Sequence, residues 1–300
     1  MKKHPLAEVF GFPISNMTTE AKRYRRLRLC PYYNKEPSCT KVSAISPLGV
    51  CTIFHGERLA ITCPIRFREK WIIAEEAASF FFPDNSKWTS LTEIRLNDKK
   101  GESAGNIDLV LVSYNEDGNI IDFGAIEIQA VYISGNIRNP FEEYIKNSEK
   151  FNEFDWSKEP KYPRADYLSS SRKRLVPQLI YKGGILHDWN KKICVVLDEG
   201  FFNTLPELPI VEKKDADVAW LIYNLTLDEK MNCYHLIRKK IVYTKFHDAL
   251  NTISISEPGD IKQFIALLQS KLNDKIENMT PPDAPTLIDI FQKQEEDDSN

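Results

Sequence analysis

The sequence predicts an α/β protein in which a central mixed sheet contains an antiparallel, acid-bearing meander flanked by helices, with a cysteine-rich metal-binding lobe in front of it. Three observations lead to this fold class. Between residues 93 and 132, three runs rich in β-branched and apolar residues are separated by turn residues, as in consecutive strands. Helix-like segments lie on both sides of these runs. Four of the six cysteines fall between residues 30 and 63.

The turns of the meander suggest how its strands pair. Asp117–Gly118 is a strong signal for a two-residue hairpin turn, because glycine tolerates the positive φ that such a turn requires. A turn centred there pairs residues whose numbers add to 235, which places Asp108 directly opposite Glu127. The preceding loop, centred more loosely on residues 100–101, places Glu93 opposite Asp108.

This register predicts a row of acidic side chains on one face of the sheet. Gln129 follows Glu127 by two residues and therefore shares its face. Opposed carboxylates repel each other, and a half-buried row of them is costly unless a cation neutralises it. Mg²⁺ prefers such oxygen ligands, so Glu93, Asp108 and Glu127 are predicted to bind it, with Gln129 as the fourth catalytic residue. The alternative is chance, since an Asp followed at this distance by Glu-x-Gln is a common pattern.

Composition and charge limit the classes of function. The net charge of −3 over 300 residues excludes a uniformly basic nucleic-acid-binding protein, so nucleic-acid contacts would come from local basic patches. No run approaches the roughly 20 apolar residues that a membrane span needs. The first residues lack the apolar core of a signal peptide, so we expect a cytoplasmic protein with no membrane partner.

Residues 1–66 are predicted to form an N-terminal, metal-binding lobe, for which the family resemblance described below implies contact with DNA. The basic run at residues 22–28 is either a solvated helix face or a nucleic-acid contact. Four thiolates in a short loop-rich segment suit a structural Zn²⁺ or a single iron ion, and the alternative is four independent buried thiols. The candidate ligands, spaced C-x8-C-x11-C-x11-C, are Cys30, Cys39, Cys51 and Cys63.

Residues 67–275 are predicted to form the catalytic domain, and residues 276–300 a C-terminal extension with a disordered acidic tail. Helices are expected at 67–83, 169–187 and 260–272, and strands at 192–198, 216–227 and 233–243. Residues 135–168 are expected to be an irregular, DNA-contacting insertion that includes one short helix at 140–146. PD-(D/E)XK nucleases use this order of helix, three antiparallel strands, helix and strand.

The chain resembles the NotI family of restriction endonucleases over most of its length, from about residue 7 to residue 246. A four-cysteine array joined to a Glu-x-Gln site is far more specific than either feature alone. The residues that carry the resemblance are Ala7 to Gly11, Cys30-Pro31-Tyr32, Gly49-Val50-Cys51, Cys63 to Arg66, Glu127-Ile128-Gln129, Lys173-Arg174, Gln178 and Lys182.

The resemblance implies a homodimeric type II enzyme that cuts double-stranded DNA at a GC-rich palindrome with Mg²⁺, while a cognate DNA methyltransferase protects host sites. It also implies that the cysteines hold a rubredoxin-like structural iron. Gln129 stands where most relatives of this nuclease core have lysine. The resemblance implies that members of the NotI family also have glutamine at this position. Lys182 or an arginine of the adjacent helix could supply the missing positive charge.

Basic and amide side chains are the expected DNA contacts, with arginine as the reader of guanine. Two alternatives remain: a DNA-binding or regulatory protein that has lost cleavage, and a nuclease that acts on RNA or invading DNA without a fixed site. The predicted DNA-binding residues are Arg25, Arg26, Arg28, Arg66, Arg172, Arg174, Gln178 and Lys182, with Arg68 and Arg138 also available.

Overall fold

The computed structural model describes residues 4–33, 38–43, 45–256 and 258–277, with the backbone alone at 276 and 277. Two compact units divide the chain, Met1–Ser254 and Ile255–Asn300. In its described part the second unit is one helix, Ile261–Glu277. The predicted acidic tail lies outside the described residues. No described helix is long and apolar enough to cross a membrane.

A six-stranded mixed sheet forms the centre of the first unit, which confirms the predicted mixed α/β class. The strand order is β12-β11-β10-β7-β6-β5, in which β5, β6 and β7 form the antiparallel meander and β7, β10 and β11 run parallel. Every residue of β10 is buried, as expected for a parallel strand covered on both faces. The strands are β5 (Trp88–Asn97), β6 (Ser103–Tyr114), β7 (Ile120–Gln129), β10 (Ile193–Asp198), β11 (Val218–Asp228) and β12 (Cys233–Thr244).

Two smaller sheets accompany the central one. The N-terminal lobe has a four-stranded sheet of order β2-β1-β3-β4, and β8 pairs with β9 in a two-stranded sheet. Residues 135–168, which are predicted to be irregular with one short helix, contain a helix, a strand and short 3₁₀ turns. These strands are β1 (Leu6–Val9), β2 (Phe12–Pro13), β3 (Val50–His55), β4 (Arg58–Ile61), β8 (Tyr132–Ser134) and β9 (Arg164–Asp166).

The helices lie close to the predicted positions along the chain. The helix expected at 67–83 is divided, because Lys70 and Trp71 have left-handed φ values of 51° and 56° that separate a 3₁₀ segment, Pro64–Trp71, from the following helix. The helix expected at 169–187 is a continuous series of α and π turns over residues 167–188, labelled α4. The other helices are α1 (Thr19–Leu27), α2 (Ile72–Phe81), α3 (Arg138–Lys146), α5 (Glu199–Phe202), α6 (Phe246–Ser254) and α7 (Ile261–Glu277).

The hairpin between β6 and β7 differs from the predicted two-residue turn. Asn115 N–H donates to the Asn119 carbonyl, so residues 116–118 form a three-residue loop, with Gly118 at φ 81°. A register shift near the loop leaves one extra residue, Ile121, on β7. Next to the loop, Tyr114 pairs with Ile120, one residue earlier than predicted. The extra residue at the bulge makes up this difference, so the register further along the strands is the predicted one.

Candidate active site

The acidic row begins on β6 and β7. Leu109 pairs with Ile126, so that Asp108 and Glu127 follow at opposed positions with residue numbers that add to 235. The predicted register is therefore confirmed. Asp108 is half-buried, and its Oδ2 accepts a hydrogen bond of 2.8 Å from the backbone N–H of Ile128, which fixes the carboxylate against the neighbouring strand.

Glu93 completes the row from the edge strand β5. The pairs Thr92–Leu109 and Ile94–Ile107 bracket Glu93 and place it opposite Asp108, as the looser argument predicts. Glu93 is exposed and has a φ of 56°, in the left-handed region that non-glycine residues rarely adopt within a strand. Backbone strain of this kind is often found at functional sites.

Glu127 is the buried member of the row, with a relative exposure of 2%. Its Oε2 lies 2.6 Å from the ammonium of Lys182, which also donates to the Asn106 carbonyl at 2.8 Å. Its Oε1 is buried and, within the described part of the chain, has no hydrogen-bond partner. Burial raises the pKa of Glu127 to about 8; Asp108 contributes to the rise and Lys182 opposes it. A further cation beside this carboxylate would lower its pKa and favour the ionised form.

Gln129, the amide of the row, is also buried, with 4% exposure. Its Nε2 donates to Oε1 of Gln178 at 2.5 Å. This hydrogen bond uses the amide nitrogen and leaves the carbonyl oxygen of Gln129 to accept a hydrogen bond from a water molecule. Gln178 and Lys182 both lie on α4, so this helix supports two of the predicted catalytic residues.

A cleft of about 490 Å³ opens in front of the row. The central sheet and α4 form one wall, and the cysteine-rich part of the lobe forms the other. Its lining residues from the sheet and helix are Glu93, Asp108, Ile128, Gln129, Ala130, Arg174 and Gln178, and those from the lobe are Cys30, Tyr33, Cys39, Thr40, Lys41, Val42, Thr62, Cys63, Pro64 and Ile65.

All four cysteines of the array are buried, and the pKa of Cys51 is raised by burial and by the nearby Cys63, Cys30 and Cys39. Burial raises the pKa of Cys30 to about 12, and it also raises the pKa values of Cys39 and Cys51. Among the described residues, no group of three or more His, Cys, Asp or Glu side chains is arranged to hold a metal ion. The thiols thus have the right chemistry for a metal site, but in this structure they do not surround a common point.

The predicted DNA-binding residues separate into an interior and an exterior group. Arg25 donates to the carbonyls of Pro13 and Asn16, Arg66 is fully buried, and Arg68 and Lys182 are also buried. Their burial removes them from the set of available DNA contacts, because a buried guanidinium or ammonium does not reach a groove. Gln178 is half-buried at the cleft. The exposed candidates are Arg26, Arg28, Arg138, Arg172 and Arg174.

Lys41 is a cleft residue that the sequence analysis did not single out. Its ammonium donates to the carbonyl of Thr62 at 2.9 Å and to that of Val50, so it joins the edges of β3 and β4 beside three of the cysteines. Burial lowers the pKa of Lys41. Its position between Cys39 and Cys51 is the one feature of the sequence that could have drawn attention to it.

The mixed sheet, the acidic row and the adjoining cleft are compatible with a nuclease. The family comparison is specific: the sequence profile described as restriction endonuclease NotI matches residues 8–236 of the 300-residue chain. The chain belongs to the NotI family of restriction endonucleases, which confirms the predicted resemblance. Membership implies a site-specific type II restriction enzyme, a hydrolase of double-stranded DNA. A search of curated proteins finds no match.

Proposed function

We propose that the chain is an Mg²⁺-dependent type II restriction endonuclease of the PD-(D/E)XK fold whose active site is the row Glu93, Asp108, Glu127 and Gln129. The observation that carries the proposal is the opposition of Asp108 and Glu127 beside the cleft, with one buried oxygen of Glu127 that has no hydrogen-bond partner among the described residues. Two carboxylates, completed by water and phosphate oxygens, are a usual protein contribution to Mg²⁺ binding.

Asp108 and Glu127 would hold the Mg²⁺, and the exposed Glu93 would bind it directly or through water. The bound ion would supply Lewis-acid chemistry, polarising the phosphodiester and activating the attacking water. The protein's own groups would do the rest. The carbonyl oxygen of Gln129, whose nitrogen is bonded to Gln178, would orient the attacking water toward the phosphorus.

The substrate is proposed to be a GC-rich palindrome in double-stranded DNA, cut on both strands by a homodimer. A palindromic site is read by two identical subunits, because the two-fold symmetry of the site matches that of the dimer. The exposed arginines near the cleft, such as Arg174, have the chemistry to read guanine in the major groove. A cognate methyltransferase is the partner that such an enzyme requires.

Plasmid and phage DNA incubated with purified protein and Mg²⁺ test this proposal. Discrete fragments are expected from the wild type, none from Asp108→Ala, and none when a chelator removes the Mg²⁺. Sequencing the fragment ends gives the site and the overhang. Discrete fragments from Asp108→Ala would contradict the proposed site, a smear would indicate a nuclease without a fixed site, and binding without cutting would indicate a regulatory protein.

We also propose that Cys30, Cys39, Cys51 and Cys63 hold one structural iron or zinc ion. Support comes from the burial of all four thiols in one part of the lobe, where Cys63, Cys30 and Cys39 all raise the pKa of Cys51. Metal binding at such a site would convert the thiols to thiolates and release their protons to the solvent. Elemental analysis of protein purified without chelator should give about one equivalent of iron or zinc, and a markedly smaller amount would contradict the site.

A further inference from the structure

Helix α4 presents two side chains to two alternate residues of β7. Gln178 accepts from Gln129, and Lys182, one turn later, pairs with Glu127, the earlier residue on the strand. One turn of a helix rises by roughly 5 Å, and residues two apart on a strand lie about 6.7 Å apart, a comparable distance. The two spacings match, so one helix can contact both catalytic positions of the strand at once.

We propose that Gln178 and Lys182 form a positioning pair that holds Gln129 and Glu127 in place for phosphodiester hydrolysis. This inference rests on the nuclease function proposed above; it makes Lys182 the source of the missing positive charge and gives Gln178, predicted as a DNA contact, a positioning role instead. Lys182 brings to the acidic row, from a helix, the positive charge that the amide of Gln129 cannot supply from the strand.

The surroundings of Lys182 fit a positioning role better than a DNA contact. It is 4% exposed, and its ammonium binds both the Glu127 carboxylate on β7 and the Asn106 carbonyl on β6. The same group therefore joins the two strands that carry the opposed acids. By occupying Oε2 of Glu127, it leaves Oε1 as the oxygen that no described residue of the chain hydrogen-bonds.

The backbone of α4 departs from α geometry around the pair. Residues Ser171–Leu175 and Leu179–Gly183 form π turns on either side of the short α segment Val176–Gln178. The first widened turn precedes Pro177, whose ring would clash with the carbonyl four residues earlier in a regular α-helix. The second begins directly after Gln178 and contains Lys182, so it sets the relative orientation of the two side chains. Such π turns are frequent at functional sites.

Lys182→Met tests the charge while keeping an unbranched side chain of similar length. We expect kcat for DNA cleavage to fall by about 10²–10³-fold, as when one charge-stabilising group is removed from an active site. The KM and the affinity for DNA measured with Ca²⁺ should stay at wild-type values. Gln178→Met, at a half-buried position, should lower kcat by roughly 10-fold, again with KM unchanged, because Gln129 loses one positioning hydrogen bond.

A matched control exists on the same strand. Lys191 pairs with Asp122 of β7 at 2.6 Å, the same separation as the Lys182–Glu127 pair, but both partners are partly exposed and lie away from the cleft. Lys191→Met should cleave at the wild-type rate. A double-mutant cycle adds a second check: Lys182→Met should cause no further loss in a Glu127→Gln background if it acts through Glu127.

The outcomes separate this inference from the proposed function. If the wild type cuts no DNA, or Asp108→Ala still cuts it, the nuclease site itself is wrong. If those controls behave as expected and Lys182→Met retains the wild-type kcat, the positioning role of Lys182 is refuted. Should Lys182→Met fail to fold, Gln178→Met decides, because a wild-type kcat for that variant would overturn the pair.

Discussion

The guanidinium of Arg66 donates from Nε to both carboxylate oxygens of Glu8, at 3.0 and 3.2 Å, and neither side chain is exposed to solvent. Arg66 also pairs with Glu69 at 2.6 Å and donates to the Tyr234 carbonyl at 2.8 Å. Two stretches that carry the family resemblance, Ala7–Gly11 and Cys63–Arg66, are thus joined through one buried ion pair. Because Arg66 bonds both Glu8 of β1 and Tyr234 of β12, it connects the N-terminal sheet to the central sheet.

Arg66→Ala should therefore destabilise the protein without acting through DNA. Removing one partner of a buried ion pair leaves the other charge uncompensated and costs about 3–5 kcal/mol. Urea unfolding measures the loss. Arg26→Ala, at an exposed position of α1, is the matched control and should change the free energy of unfolding by less than about 0.5 kcal/mol. Equal stability of the two variants would contradict the structural role of Arg66.

Glu93 should show a conflict between stability and activity. Its left-handed φ of 56° is strained for glutamate but suits asparagine. We expect Glu93→Asn to raise the free energy of unfolding by up to about 1 kcal/mol. The same change removes a proposed Mg²⁺ ligand, so cleavage should fall and should need more Mg²⁺.

Glu93→Gln separates the two effects. It removes the charge, keeps a side chain of the same size and leaves the backbone at position 93 strained. It should lose activity without gaining stability. A thermal melt and a Mg²⁺ titration of cleavage for both variants measure these quantities. A Glu93→Asn protein that is no more stable than Glu93→Gln would show that the left-handed φ carries no strain.

The sequence predicted the sheet more completely than the site. The register of the acids follows from alternation and turn position, and it survived an incorrect turn because a bulge at Ile121 restored it. The contacts of Lys182 with Glu127 could not be predicted in this way, because they join segments 55 residues apart through helix packing. Arg66 was misjudged for a related reason: arginine is rarely buried unless it is paired, and the pairing partner is not visible in the sequence.

Burial of His4 should make the fold sensitive to mild acid. Burial lowers the pKa of His4 from 6.5 to about 4, so the unfolded chain binds the proton more readily. Its contribution to stability is complete above pH 6.5 and is lost as the pH falls toward 4. At pH 5 the expected loss is about 2 kcal/mol relative to pH 7. Urea unfolding at the two pH values measures it.

His4→Phe should remove this part of the pH dependence. The cavity around His4 contains the aromatic rings of Tyr144, Phe151 and Trp156, which suit a phenyl ring. The charged residues that line it, Glu143, Lys150 and Glu153, are unchanged in the variant. His247→Gln, at an exposed histidine, is the control and should keep the wild-type acid sensitivity. An unchanged acid loss in His4→Phe would refute the role of His4.

The cysteine array can be tested against an ordinary buried thiol. Cys51 on β3 is a proposed metal ligand, whereas Cys194 on β10 is fully buried outside the array. If metal binding stabilises the lobe, Cys51→Ser should give insoluble protein or protein without bound metal, because the free energy of metal binding contributes directly to folding. Cys194→Ser should keep a full equivalent of metal, although a buried hydroxyl lowers its stability. Soluble, fully active Cys51→Ser protein would refute a structural metal. Equal metal loss in both variants would show that the metal is lost because the hydrophobic core is disturbed, and not because a ligand is removed.

Arg174 offers the most direct test of the DNA interface. It is exposed, lines the cleft, and stacks over the ring of Tyr132 at 5.2 Å, which holds the guanidinium near the acidic row without burying it.

If Arg174 contacts a phosphate, Arg174→Ala should weaken DNA binding about equally for all sequences and reduce the slope of log K against log salt by about 0.9. If it reads a base, the loss should be confined to the cognate site and amount to about 1–3 kcal/mol. Fluorescence anisotropy in Ca²⁺, with cognate and unrelated duplexes at several salt concentrations, distinguishes a phosphate contact from a base contact. Lys214 is an exposed cation away from the cleft, so Lys214→Ala is the control and should change neither the DNA affinity nor the salt slope. Wild-type affinity and salt slope in Arg174→Ala would exclude this arginine from the interface.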